Sequence, residues 1–252
     1  MKILFTFIIT VACIGKCFSQ QIFITQGKIE FEKRVNLHKV IDAAFTGGDG
    51  ENSWIEELKK SVPNHKNFYF DLYFNGDKTL YKPGREEVSA GRTPDWLLVA
   101  NENTVSSDLQ KDQSVSLKSI YDGNYLIQDS LRKVNWKITS DTRNIAGFEC
   151  RKAVGIIMDS VYVIAFYTDE IMTHGGPESF NNLPGMILGI AIPRLNTTWF
   201  ATKLELVQVT PAQLAAPKKG KKVDTKALQT ILKERLEEAG ARGNLFLWNA
   251  FL

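Results

Sequence analysis

The stretch Phe68-Tyr69-Phe70-Asp71-Leu72-Tyr73-Phe74-Asn75-Gly76-Asp77-Lys78-Thr79-Leu80-Tyr81-Lys82 decides the fold class. Phe68, Phe70, Leu72 and Phe74 fall on one side of an alternating run, with Tyr69, Asp71 and Tyr73 on the other, which is the period of a strand. Asn75-Gly76 supplies the positive φ that a tight hairpin turn needs, and the β-prone run after it returns alongside the first. Pro83-Gly84 closes the return strand. A second hairpin is read from Ser114 to Tyr121, the turn Asp122-Gly123, and Asn124 to Leu131. Connections this short join antiparallel neighbours, because parallel pairs need a long crossover.

Outward from these hairpins the pattern repeats. Ile22 to Leu37 alternates around Ile29, Phe31, Val35 and Leu37 as a half-buried strand. Val134 to Thr139 and Phe148 to Ile157 flank a loop around Asn144 and Gly147, and Val161 to Thr168, apolar on both faces, reads as a central strand. In Trp199 to Val209, Phe200, Leu204 and Leu206 oppose Lys203 and Glu205. Phe45 to Glu51 and Gly91 to Pro94 read as loops. Ser53 to Lys60 carries early acids and late lysines, which suits a helix dipole, and Pro63 stops it. Pro211 to Lys222 reads as a flexible basic connector. Asp224 can cap a helix to Ala239 with Leu228, Ile231, Leu232 and Leu236 on one face and Gly240 at its end. The apolar segment Leu245 to Leu252 is too short for a membrane helix and is expected to dock on the sheet.

The expected fold is therefore mainly β (α+β): a curved antiparallel sheet or partial barrel of about ten strands with one or two covering helices. Three units are expected: a leader at 1–19, an antiparallel β domain at 20–210, and a linker, amphipathic helix and apolar segment at 211–252.

The leader reading rests on Lys2, the apolar run Ile3 to Ile14, and small residues Cys17 and Ser19 before a cut at Gln20. Thr10-Val11-Ala12-Cys13 leaves open a lipid on Cys13, and a retained anchor is a further alternative. Export to the periplasm, the outer membrane or the medium follows, with no transmembrane span expected after leader removal. Loss of Lys2 and Lys16 takes the formal charge from +3 to about +1, which gives no electrostatic case for nucleic acid. Cys150 would then be the lone thiol, read as a small buried hydrophobe and unable to form an internal disulfide.

Catalytic signals are sparse. His38, His65 and His174 are far apart and none has a second ligand at metal spacing. No nucleophile elbow, zinc-protease helix, phosphate loop or dinucleotide fingerprint is present. No catalytic, cofactor-binding or metal-ligating residue is assigned, and no cofactor is expected. His174 near Asp169 and Glu170 is the one place an unfamiliar hydrolase site could form. The aromatic hairpin could line an apolar groove, and Lys218 to Lys222 could touch an anionic surface, although a plain core and a solvated linker are the commoner meanings of such stretches.

Phe180 to Ile190, Phe-Asn-Asn-Leu-Pro-Gly-Met-Ile-Leu-Gly-Ile, reads as a sharp corner feeding a buried strand. Pro184 and Gly185 suit the centre of a type II turn over Leu183 to Met186. Trp136-Lys137-Ile138, then Ile145-Ala146-Gly147-Phe148-Glu149-Cys150-Arg151-Lys152-Ala153, then Phe166 to Ile171 and Asn182 to Leu188, together resemble the GLPGLI family of exported Bacteroidetes proteins. Asn182 stands for the family's first Gly, Met186 for a Leu, Phe166 for a Trp and Asp169 for a Pro. Asn accepts left-handed backbone better than most residues, so the corner survives the first change.

The resemblance implies an exported β-rich envelope protein, often associated with outer-membrane receptor systems of the TonB-dependent kind, and carries no activity with it. It gives meaning to Asp129-Ser130-Leu131 and Asp159-Ser160-Val161 as sites for O-glycosylation at Ser130 and Ser160. The expected function is a non-catalytic binding or accessory module for an apolar small molecule or an outer-membrane partner, with a hydrolase or a structural surface protein as alternatives. The candidate partner-facing loop comprises His174, Gly176, Pro177, Phe180, Asn182, Leu183, Pro184 and Gly185.

Overall fold

The computed structural model describes residues 23–45, 53–87, 93–120, 123–158, 160–236 and 241–252. The expected leader, the loop after Phe45, Gly91, Tyr121 and Asp122 of the second hairpin, Asp159 and Gly240 lie outside the described residues.

Strands β1 (Gln26–Asn36), β2 (His65–Asn75), β3 (Lys78–Pro83), β4 (Thr104–Asp108), β5 (Gln113–Ile120) and β6 (Gly123–Asp129) build one half of a single sheet. Strands β7 (Lys137–Ile145), β8 (Phe148–Ile157), β9 (Val161–Thr168), β10 (Met186–Ile192), β11 (Thr197–Glu205) and β12 (Lys221–Val223) complete it. The order is β12-β6-β5-β4-β3-β2-β1-β11-β10-β9-β8-β7. Every neighbouring pair is antiparallel except β12 on β6, which is parallel. The mainly β, curved-sheet architecture expected from the hairpins is the one observed.

Register places one continuous row of side chains on the inner face. Trp199 opposes Lys33, Phe31 opposes Phe70, and Leu72 opposes both Ile29 and Tyr81. Val105 then follows opposite Tyr81, and Ser116 opposite Val105. Phe70 stacks on Tyr81 at 4.6 Å between ring centroids, and Phe31 meets the same tyrosine edge-on. At the far end β7 curls back over the opposite face. A Cβ at Gly189 of β10 would lie 3.0 Å from Ile145 Cδ1 and 2.8 Å from Phe200 Cε1, so a side chain there would push both neighbours aside. Arg143 lies over the rings of Phe166 and Phe200.

Among the described residues four α-helices accompany it: α1 (Leu37–Phe45), α2 (Ser53–Ser61), α3 (Thr225–Leu236) and α4 (Ala241–Ala250). Asp224 caps α3 through a bond from the Ala227 N–H, and Leu228, Leu232 and Leu236 are buried against β5 and β6, with Ile231 half-buried. The helix α1 was not expected. Its start is set by Asn36, whose Oδ1 accepts the Lys39 N–H at 3.0 Å. Leu37, Val40, Ile41 and Ala44 then form its buried face.

Other local readings are corrected. Β-strand β7 runs through Asn144, where a loop was expected, because Ala146 at φ 51° and Gly147 at φ 90° make the turn to β8. In β11 the buried set is Thr197, Trp199 and Ala201, while Leu206 is exposed beyond the strand's end. The basic connector is not free chain: Thr210 and Gln213 form a capping box, and Lys221 to Val223 join the sheet. The apolar end folds as a helix, α4, which packs on α1 and α3 and places Leu245 and Leu252 in the main core with the strand residues. Cys150 is fully buried, and that burial pushes its thiol up to about 12. Among the described residues no helix is long and apolar enough to cross a membrane.

Candidate binding site

The chain between β9 and β10 crosses the inner face of the sheet instead of looping away from it. Ile24 brackets its start, donating to the Glu170 carbonyl and accepting from the Met172 N–H. Thr173 Oγ1 donates to the Gly76 carbonyl of the β2–β3 turn at 2.8 Å. Further on, Trp136 Nε1 donates to the Asn181 carbonyl at 3.0 Å, and Asn181 Nδ2 donates to those of Arg132 and Ser179.

The corner itself differs from the expected type II turn. The Gly185 N–H bonds the Leu183 carbonyl at 2.7 Å, a three-residue turn centred on Pro184. Asn182 is left-handed at φ 67°, as its sequence position suggested. Gly185 at φ 136° has no room for a side chain, since a Cβ would sit 2.0 Å from the Thr168 carbonyl oxygen.

Of the loop residues singled out from sequence, Gly176, Pro177, Phe180, Leu183 and Gly185 are buried, and His174, Asn182 and Pro184 are exposed. The buried ones hold the loop on the sheet. Asp169 is also exposed and Glu170 half-buried. Among the described residues no hydrogen bond or ion pair joins His174 to either acid.

What the loop delivers is Glu178, which the sequence reading passed over. It is 2% exposed and sits at φ 54°, a backbone state that costs a non-Gly residue about 1 kcal/mol or more. Its Oε2 accepts from Asn103 Nδ2 at 3.0 Å, and its Oε1 is 4.0 Å from Lys33 Nζ. Lys33, 2% exposed, lies 5.0 Å from the Trp199 ring centroid. Lys118 is 5% exposed, and Arg132 is half-buried beside it. Three cations thus share one buried carboxylate.

Burial lowers Lys33 and Lys118 to about 8 each, and in both the nearby Glu178 charge offsets part of the effect. Arg132 is lowered to about 10 by burial, again with Glu178 opposing. Tyr81 is pushed up by burial and by Glu178. Tyr81 Oη and Trp199 Nε1 are close enough to interact but make no well-formed hydrogen bond. Neither do Lys118 Nζ, Asn103 Oδ1 or Glu178 Oε1 beyond the contacts given. Buried polar atoms are normally paired, so their concentration here marks a place built for more than packing.

Lys118 and Arg132 also line a cavity of about 520 Å³ bounded by β5, β6, α3 and α4. Ser114, Ser116, Ser179, Gln229 and Asn244 contribute polar groups, and Trp248 and Phe251 contribute aromatic faces. Arg132 ties this wall together: its Nε donates to Ser179 Oγ at 2.8 Å, and its Nη2 donates to the main-chain oxygens of Phe251 and Leu252. On the opposite side Thr225 Oγ1 donates to Asp129 Oδ2, and this bond holds the Asp129 carboxyl below its usual range.

Comparison with known proteins decides the family. A family profile described as N-glycanase peptide, N-terminal domain, matches residues 101–229. The chain belongs to that family. The matched part of this N-glycanase N-terminal-domain chain contains Lys118, Arg132, Glu178 and most of the cavity wall; Lys33, Tyr81 and α4 lie outside it. Two solved structures share the fold, PNGF-II in the C2 and the P21 space groups. Their TM-scores are 0.52 and 0.51, at 15% and 16% identity, and each covers 82% of this chain. The chain spans about a third of the length of those proteins, 32% and 33% respectively. No curated protein matches the chain.

Proposed function

We propose that this protein is an exported, non-catalytic binding module that holds a sugar-bearing ligand in the cavity under α4. The observation that carries the reading is the cavity's lining. Hydroxyl and amide side chains sit with the aromatic faces of Trp248 and Phe251 in a volume of about 520 Å³. Concave sites with a few placed polar groups and aromatic walls are the usual form of small-molecule sites. Membership of a family named for an N-glycanase supports a carbohydrate ligand over the apolar one expected from sequence. The hydroxyl and cationic groups would be left unpaired by an apolar guest, at a cost of about 1–3 kcal/mol each.

Export, the envelope location, and partnership with an outer-membrane receptor of the TonB-dependent type remain parts of this proposal. The resemblance over Trp136 to Ile190 supports them. Titration of the purified full chain with a panel of neutral and charged oligosaccharides, followed by native mass spectrometry, tests it. Binding that falls at least tenfold in Trp248→Ala is the expected result. Failure of every oligosaccharide to bind would overturn it.

A further inference from the structure

We propose that Lys118 forms an oxyanion subsite in the wall of this cavity, which takes a carboxylate or sulfate group carried by the ligand. The inference deepens the sugar-binding reading by naming the charge its ligand carries.

Three observations converge on it. Lys118 is on β5, where the register turns it to the same face as Ser114 and Ser116, and all three line the cavity. Its Nζ is fully enclosed, yet has no hydrogen-bond partner. A lysine ammonium carries three donors, and a buried one normally finds at least one partner. Its neighbours do not fill that role. Glu178 accepts from Asn103 and lies 4.0 Å from Lys33, and no hydrogen bond joins it to Lys118; Arg132 is held by Ser179 and the main-chain oxygens at the end of α4. The surroundings therefore carry Lys33, Lys118 and Arg132 against Glu178, and an arriving anion would relieve a like-charge cluster.

The serine hydroxyls suit the same guest. Ser114 and Ser116 precede Lys118 at alternate positions of one strand face, and all three line the cavity. A tetrahedral or planar oxyanion takes one charge-assisted bond from an ammonium and further bonds from hydroxyls. Arg132 completes a positive rim. Asp129 faces the cavity from the far side but is held by Thr225 and the Ser130 N–H.

The test titrates the full chain with inorganic sulfate, glucuronate, glucose 6-sulfate and glucose, and compares wild type with Lys118→Met, which keeps the apolar stem. Wild type should bind sulfate and the two charged sugars at least tenfold more tightly than glucose. K118M should lose that preference while its thermal midpoint stays equal or rises. The glucuronate and sulfate arms separate a carboxylate from a sulfate source. Binding of sulfate by K118M within twofold of wild type would overturn the subsite.

Proton uptake gives a second measure independent of the variant. Sulfate binding at pH 8.5, followed in two buffers of different ionisation enthalpy, should draw in a fraction of a proton as Lys118 becomes fully charged. Glu178, Arg132, Lys33, Asp129 and Lys233 are the other charged groups facing this space. No proton uptake would overturn the assignment. Sulfate binding that depends on Lys118, with no sugar bound, would uphold this subsite and remove the sugar-binding reading instead.

Discussion

The β2–β3 and β5–β6 hairpins were read from the same kind of turn, sit in the same sheet and face the same side, yet their inner faces are opposites. In the first, Phe70, Leu72, Phe74 and Tyr81 are buried against other apolar groups. In the second, Ile120 at the end of the strand packs into an apolar cluster, but Ser114, Ser116 and Lys118 on the same face are buried polar groups that line a cavity. Accessibility alone does not separate the two. What separates them is pairing: the first face is closed by packing, and the second leaves donors waiting.

The contrast can be broken most violently at the loop that lies between the two faces. Gly185→Val should yield no soluble folded protein, because both the φ of 136° and the 2.0 Å approach to the Thr168 oxygen forbid a side chain. Expression and far-UV circular dichroism of this variant check it. Next in size, Phe70→Ala should lower stability by about 3–5 kcal/mol in urea unfolding, as expected for a buried aromatic with no room to collapse. Ser116→Ala, equally buried, should change it by no more than about 0.5 kcal/mol. Equal losses would show that the second face is ordinary core.

A smaller effect sharpens the comparison by pH. Lys118 is lowered from 10.5 to about 8 by burial, so between those values the unfolded chain binds more protons than the folded one. Stability attributable to this group is therefore lowest below pH 8 and is recovered as the pH rises towards 10.5. Glu178 opposes the shift, and Arg132 and Lys33 reinforce it. Lys118→Met should be the more stable protein at pH 7 by up to about 3 kcal/mol, with the gap narrowing by pH 10. Urea midpoints of both proteins across that range check the sign.

Much of the sheet was legible because its signals are local. Asn75-Gly76, the alternation of β2 and the break at Pro83 need nothing beyond their own neighbours. The helix α1 was hidden because Val35 and Leu37 continue the phase of β1, and the Asn36 cap lies inside that run. The polar face of β5 was hidden for a stronger reason. In Ser114-Val115-Ser116-Leu117-Lys118 the apolar residues are Val115 and Leu117, so periodicity alone turns the serines and the lysine to solvent. The fold does the reverse, leaving Val115 and Leu117 half-buried on the other face. Glu178, in a Gly-Gly-Pro-Glu turn, likewise reads as a solvated acid until β9 and β10 are placed around it. Alternation identifies faces, but only tertiary structure says which face is enclosed.

The two margins of the open sheet have a consequence for how the protein behaves in a crowded solution. At one margin β12 offers three residues, Lys221, Lys222 and Val223. At the other, β7 is mostly solvent-facing, carries Lys137, Asp141 and Arg143, and slips register between Ile138 and Thr142. Asp141 is drawn sideways to Lys152 at 2.8 Å. Brevity, charge and a bulge each make a strand a poor template for a neighbour's backbone. A sheet of twelve strands that never closes on itself is thereby protected from adding a thirteenth from another chain.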